Sequence, residues 1–234
     1  MMLIWVSGDN AVTAERGLRR LVLLVGVFSA SVLIGGCLLR PGNESSDLTY
    51  RLPTKLTIAA GHALPGTDIR YDHMNEKGAH VLYRGQQALK RKGDSLDWRG
   101  SPLPGVSVDL RLRVVWYTEE ELHLVGTAKI VIDDVQPRAA TISTSSPIKY
   151  GGPVVYGLAK GAALPGSGVT FEGATEEGLK LGGIDGYPYR KVGDSIFWEG
   201  SLRDGVYIRL DVRTLQFNDK SLRVGGLVTL WIGP

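Results

Sequence analysis

Apolar and polar residues alternate with a period of two over long stretches of this chain. Val106, Val108, Leu110, Leu112 and Val114 are separated by Ser107, Asp109, Arg111 and Arg113, the pattern of a strand with one face in a core. After the turn Thr118-Glu119-Glu120 a second run places Leu122, Leu124, Ala128, Ile130 and Ile132 on one face, and the two runs predict a β-hairpin. The parity breaks at Val114-Val115-Trp116-Tyr117, which predicts a bulge or a second buried face. Shorter strands are expected over 55–60, 79–84, 88–92 and 95–99. No segment after residue 40 has helical periodicity.

The hairpin recurs one hundred residues later, with Val206, Ile208, Leu210 and Val212 in its first strand and Leu222, Val224, Val228, Leu230 and Ile232 in its second. Gly61-His62-Ala63-Leu64-Pro65-Gly66-Thr67 recurs as Gly161-Ala162-Ala163-Leu164-Pro165-Gly166-Ser167, and Gly93-Asp94-Ser95 as Gly193-Asp194-Ser195. Roughly 23 identities fall over about 83 aligned positions, the self-similarity of a repeated structural unit. The expected fold class is all-β, two tandem homologous small β-sandwich or barrel domains at 50–133 and 150–234. A polar linker, 134–149, joins them, and Ala139 to Ile142 is a candidate edge strand within it. A spacer, 37–49, precedes the first copy.

Residues 1–36 differ in kind. Arg16, Arg19 and Arg20 lead into the uncharged stretch Leu21 to Ile34, followed by Gly35, Gly36 and the single cysteine, Cys37. This is the three-part order of an export signal, and it predicts an N-terminal hydrophobic helix. Leu33-Ile34-Gly35-Gly36-Cys37 resembles the lipobox of bacterial lipoproteins, in which an aliphatic residue and two small residues precede the cysteine. The resemblance implies recognition of Ile34, Gly35 and Gly36 by a lipoprotein signal peptidase and covalent lipid of the palmitate type on Cys37. It also implies attachment at the extracytoplasmic face of the cell membrane. An uncleaved signal anchor over Leu21 to Leu39, about 19 residues, is the alternative. Either arrangement puts everything after residue 40 outside the cytoplasm.

Composition narrows the partners. Of 27 basic and 24 acidic residues, the signal holds three and two, so the exported part carries 24 and 22 and is close to neutral. Nucleic acid, which calls for a strongly basic face, is not an expected partner. With one cysteine there is no disulfide framework and no CxxC pair. GxSxG, HExxH, P-loop and dinucleotide fingerprints are absent from the exported sequence.

The duplication sorts the remaining candidates. Ser95 or Ser195 in Gly-Asp-Ser would need a base within reach to act as a nucleophile, and the second copy has no histidine. Asp94 and Asp194 are therefore read as turn formers that accept from backbone amides. Trp98 and Trp198 are read as core anchors and as candidate binding residues, since an exposed Trp can stack on a sugar ring. The four histidines, His62, His73, His80 and His123, have no histidine counterparts. His62, Asp68, Asp72 and His73 have suitable side chains for a divalent metal, but their spacing fits no zinc signature, and no metal or cofactor is expected beyond the lipid. Lys90, Arg91 and Lys92 suit a charged edge strand or contact with anionic lipid headgroups.

The function these features predict is a non-catalytic binding or scaffold lipoprotein, with an accessory subunit of a membrane-associated assembly as one form of it. Its expected partners are the membrane and an extracytoplasmic protein. Tyr207, Leu215, Phe217 and Trp231 make the second copy more apolar where the first carries Ser107 and Val131. A cell-envelope glycan-binding module is the alternative, and a hydrolase using Asp68 and Asp72 in the first copy is the second alternative.

Overall fold

The computed structural model describes residues 47–142 and 145–233, and among them every regular element is a strand. The predicted N-terminal helix and the lipobox residues Ile34, Gly35, Gly36 and Cys37 lie outside the described residues. The first half contains β1 (Leu48–Ala59), β2 (Arg70–Asn75), β3 (Gly78–Tyr83), β4 (Gln86–Lys90), β5 (Ser95–Leu103), β6 (Val106–Tyr117) and β7 (Glu121–Ile132). After β8 (Arg138–Ala139) come β9 (Ile148–Ala159), β10 (Thr170–Thr175), β11 (Gly178–Gly182), β12 (Tyr189–Arg190), β13 (Ser195–Arg203), β14 (Val206–Phe217) and β15 (Ser221–Ile232).

Four antiparallel sheets result. The large ones run β1-β7-β6-β5 and β8-β13-β14-β15-β9, and the small ones β2-β3-β4 and β10-β11-β12. The predicted hairpin is β6–β7. Its apolar parity is fully buried, from Val106 to Val114 and from Leu122 to Ile132, because alternate side chains of a strand point to one face. The last strand of each half returns beside the first: Leu48 pairs with Ile132 and Ala59 with Glu121, just as Ile148 pairs with Ile232 and Ala159 with Ser221.

The parity break is a register shift between Val114 and Trp116, and the same shift occurs between Thr214 and Gln216. The extra residue, Val115 or Leu215, turns outward and is exposed, as a bulge requires. Two elements extend beyond the sequence pattern. β1 begins seven residues before the expected strand and passes through Pro53, tolerated because β1 is an edge strand. β2 buries only Tyr71 among its polar residues, too little for a hydrophobic signal; the Tyr71 hydroxyl donates to the Thr118 carbonyl. The linker does add an edge strand, at Arg138–Ala139 instead of Ala139 to Ile142, pairing Ala139 with Gly200 and Arg138 with Ser201.

Glycines explain two of these contacts. A Cβ at Gly100 would lie 2.3 Å from the Trp98 ring, and one at Gly200 would lie 2.7 Å from the Trp198 ring and 2.1 Å from the Arg138 carbonyl oxygen. Each Trp ring thus occupies the space that a side chain two residues on would need. At Gly200 the missing side chain also lets β8 dock.

The halves share one hydrophobic cluster. A Cβ at Gly66 would meet Ile148 at 2.5 Å, and reciprocally a Cβ at Gly166 would meet Leu48 at 3.0 Å. Gly152 lies against Leu52 and Pro53. Arg203 crosses from the second half to donate to the backbone carbonyls of Gly105 and Asp133. Burial, and then the neighbouring Tyr156, push the Tyr50 phenol well above its usual pKa, while burial raises Tyr150 to about 12.

Candidate functional site: two unlike outer sheet faces

The Gly-Asp-Ser segments are turns. The Asp94 carboxylate accepts from the Arg91 amide at 2.8 Å and Asp194 from the Lys191 amide at 2.7 Å. The Asp94 and Asp194 carbonyls accept from Val114 and Thr214, which ties each turn to the neighbouring long strand. Arg113 and Arg213 donate to the Gly93 and Gly193 carbonyls. Ser95 and Ser195 are exposed, and their carbonyls accept from Lys90 and Arg190. Two of the basic side chains at 90–92 and 190–191 therefore close the strand that follows. Arg91 reaches the Lys77 carbonyl at 3.3 Å, and Lys92 is exposed.

The four histidines, all in the first half, disperse. His73 stacks on His80 with ring centroids 4.5 Å apart, and His62 bonds the Ala60 carbonyl. Asp72 pairs with Arg70 and accepts from Gln87. His123 sits beside Glu121, Thr57 and Trp116. Among the described residues no three His, Cys, Asp or Glu side chains group where they could hold a metal ion.

Trp198 is 7% exposed and belongs to the core, whereas Trp98 is half-buried at the edge of its sheet. There it lines an open cleft of about 390 Å³ with Arg84, Asp97, Arg99, Asp109 and Arg111. In the second half Ile184, Phe197, Glu199, Arg209 and Asp211 occupy the equivalent positions. The cross-strand ion pair survives with its polarity reversed: Arg99–Asp109 at 2.6 Å becomes Glu199–Arg209 at 3.0 Å.

This reversal is part of a wider difference between the two solvent-facing sheet surfaces. On the first sheet, register rows across β1, β7, β6 and β5 read Arg51–Lys129–Asp109–Arg99, Pro53–Thr127–Arg111–Asp97 and Lys55–Val125–Arg113–Ser95. Six cations stand there against two carboxylates. The matching rows across β9, β15, β14 and β13 read Gly151–Thr229–Arg209–Glu199, Pro153–Leu227–Asp211–Phe197 and Val155–Gly225–Arg213–Ser195. Two cations balance two carboxylates, and large apolar side chains take the space.

Val155, Leu215 and Leu227 gather around Gly225, and Phe197 stands beyond Asp211 on the same face. Phe197 and Leu227 are each 57% exposed, Leu215 is 46% and Val155 41%. A Cβ at Gly225 would touch Leu215 at 3.0 Å and Val155 at 3.5 Å, so Gly225 floors the gap between them. The apolar set expected from sequence needs correcting. Leu215 is exposed, but Trp231 is 3% exposed beside the cations of Lys149 and Arg209, and Phe217 packs on the core. Val155, Phe197 and Leu227 were the missed members. Comparing the outward positions of the two copies, Lys55, Asp97 and Thr127 against these three, is the signal that finds them.

No protein-family model, curated protein or solved structure matches this chain. Among the described residues no helix is long and apolar enough to cross a membrane.

Proposed function

We propose that the protein is a lipid-anchored extracytoplasmic binding or scaffold protein made of two tandem homologous β units, the second of which docks a protein partner. The lipobox at Leu33 to Cys37 supports the anchor. The exposed patch of Val155, Phe197, Leu215 and Leu227 carries the docking assignment. Exposed apolar side chains gathered on one sheet face are characteristic of protein interaction surfaces. The partner that fits is a flat, largely apolar protein surface, because the patch lies on a sheet face where Asp211 and Arg213 are the charges among the apolar side chains. Glycan stacking is the second reading, and it would rest on the exposed rings of Trp116 and Tyr187 and on the half-buried Trp98.

Mass spectrometry of the protein purified from membranes is expected to find Cys37 at the mature N-terminus with acyl chains attached. An unmodified Cys37 removes the anchor assignment. A photo-crosslinking side chain at position 227 is expected to yield one discrete protein adduct in cells, lost in a Phe197→Asp, Val155→Asp variant that still folds. An adduct insensitive to both changes removes the docking assignment.

A further inference from the structure

The outer face of the first sheet has a role of its own. Of its six cations, Arg51, Lys55, Arg99, Arg111, Arg113 and Lys129, the second copy retains a basic residue at only one, Arg213; the others become Gly151, Val155, Glu199, Asp211 and Thr229. The exception is informative, because Arg113 and Arg213 both hold a turn carbonyl. The shared fold therefore requires one of the six, and the other five are particular to the first copy. Asp109 is shared by Arg99 and Arg111, at 2.6 and 3.9 Å, and Asp97 is the only other carboxylate in the rows. Arg51, Lys55, Arg99, Arg111 and Arg113 are exposed and Lys129 is half-exposed. Arg84, at the tip of the β3–β4 turn, adds a further cation at the edge beside Trp98.

The position of this face in the chain identifies its occupant. Arg51 and Lys55 lie on β1, and only Leu38 to Asp47 separate Cys37 from β1. Ten residues reach at most ~35 Å when fully extended. A lipid on Cys37 thus keeps the first sheet within one domain width of the bilayer, where a flat array of cations meets the negative potential of anionic headgroups. We propose that the outer face of β1-β7-β6-β5 lies on an anionic lipid surface, leaving the apolar face of the second copy for the protein partner. This rests on the anchored reading given above. It moves the membrane contact away from Lys90 and Arg91, whose side chains close local carbonyls.

Acylation of Cys37 leaves the chain without a free thiol, so a single introduced cysteine becomes a clean reporter. The full chain, carrying either Thr127→Cys at the centre of the first face or Leu227→Cys at the matching point of the second, is reconstituted with vesicles. These are either phosphatidylcholine alone or phosphatidylcholine with phosphatidylglycerol. Flotation with the neutral vesicles reads the anchor. Reaction with a membrane-impermeant maleimide reads the face. At position 127 the reaction is expected to be roughly tenfold slower on anionic than on neutral vesicles, with high salt abolishing the difference. At position 227 the rates are expected to be equal. An added Arg51→Gln, Lys55→Gln, Arg111→Gln change is expected to restore fast labelling at 127, while the matched change Lys90→Gln, Arg91→Gln, Lys92→Gln leaves it slow. Equal rates at 127 on both vesicles overturn the proposal. Failure to float with neutral vesicles, together with binding and protection on anionic ones, overturns the anchor and leaves the face in place. Absence of flotation with either overturns both.

Discussion

Thr214 shows what comparison at a single position can reveal. It is 1% exposed, and among the described residues its hydroxyl finds no hydrogen-bond partner. Val114 holds the same place in the first half, buried to the same degree. A buried hydroxyl left unpaired costs about 1–3 kcal/mol, and the valine is nearly isosteric. Thr214→Val is therefore expected to raise stability by about 1 kcal/mol, and Val114→Thr to lower it by a similar amount, both read from urea unfolding midpoints. A loss of stability in Thr214→Val would mean the hydroxyl is satisfied after all. The same residue-scale logic explains Trp-x-Gly in both halves. An indole ring occupies the space a Cβ would take, and the shared pair marks packing, whichever copy it is in.

At the scale of elements, the Gly-Asp-Ser turns and the bulges make the long strands start and curve where they do. Asp194 organises its turn through the Lys191 amide, and its own carbonyl accepts from Thr214 on β14. Asp194→Ala is expected to cost about 1 kcal/mol, the usual value for one such bond. Ser195→Ala, at an exposed position in a half of the chain without histidine, is expected to stay within about 0.5 kcal/mol. Thermal unfolding of both variants separates the turn role from a nucleophilic one, and a cleavage activity abolished by Ser195→Ala would reverse the assignment. The bulges at Val115 and Leu215 shift the register by one residue, so that Tyr117 and Phe217 return to the core side while the bulged residues face solvent. That one-residue shift makes Leu215 part of the apolar patch.

At the scale of the whole molecule, the two halves meet through β1 and β9, with Leu48 and Ile148 seated over each other's Leu-Pro-Gly turns. Tyr50 and Tyr150 are buried near this contact, and both phenols are raised above the usual 10.0. A raised phenol keeps its proton in the folded protein after the unfolded chain has released it. Its stabilising contribution is complete below about pH 10 and is lost as pH rises toward the folded value. For Tyr150, at about 12, the loss amounts to at most about 2.7 kcal/mol. Urea midpoints measured from pH 8 upward are expected to fall above pH 10, and less steeply in Tyr150→Phe. Equal slopes in the two proteins would show that the phenol ionises without disturbing the contact.

The sequence by itself determined the all-β class, the β6–β7 and β14–β15 hairpins, the parity break at Val114 to Tyr117 and the turn role of Asp94 and Asp194. Each of these is local: a period of two, a slip in that period, or a side chain bonding the amide three residues away. It also contained the whole difference between the two halves, because the cations and apolar residues of the two faces stand at fixed hundred-residue offsets. Only the tertiary structure decided which of those residues share a surface. Arg51, Arg99 and Lys129 are far apart in the chain and become neighbours through strand pairing, while Trp231, outward by parity, is buried beside Lys149 and Arg209. β2, too polar to show a hydrophobic rhythm, exists because β3 pairs with it and Tyr71 reaches the core. A single strand's pattern says which side faces the core, and the neighbours on the other side are set by register between distant segments.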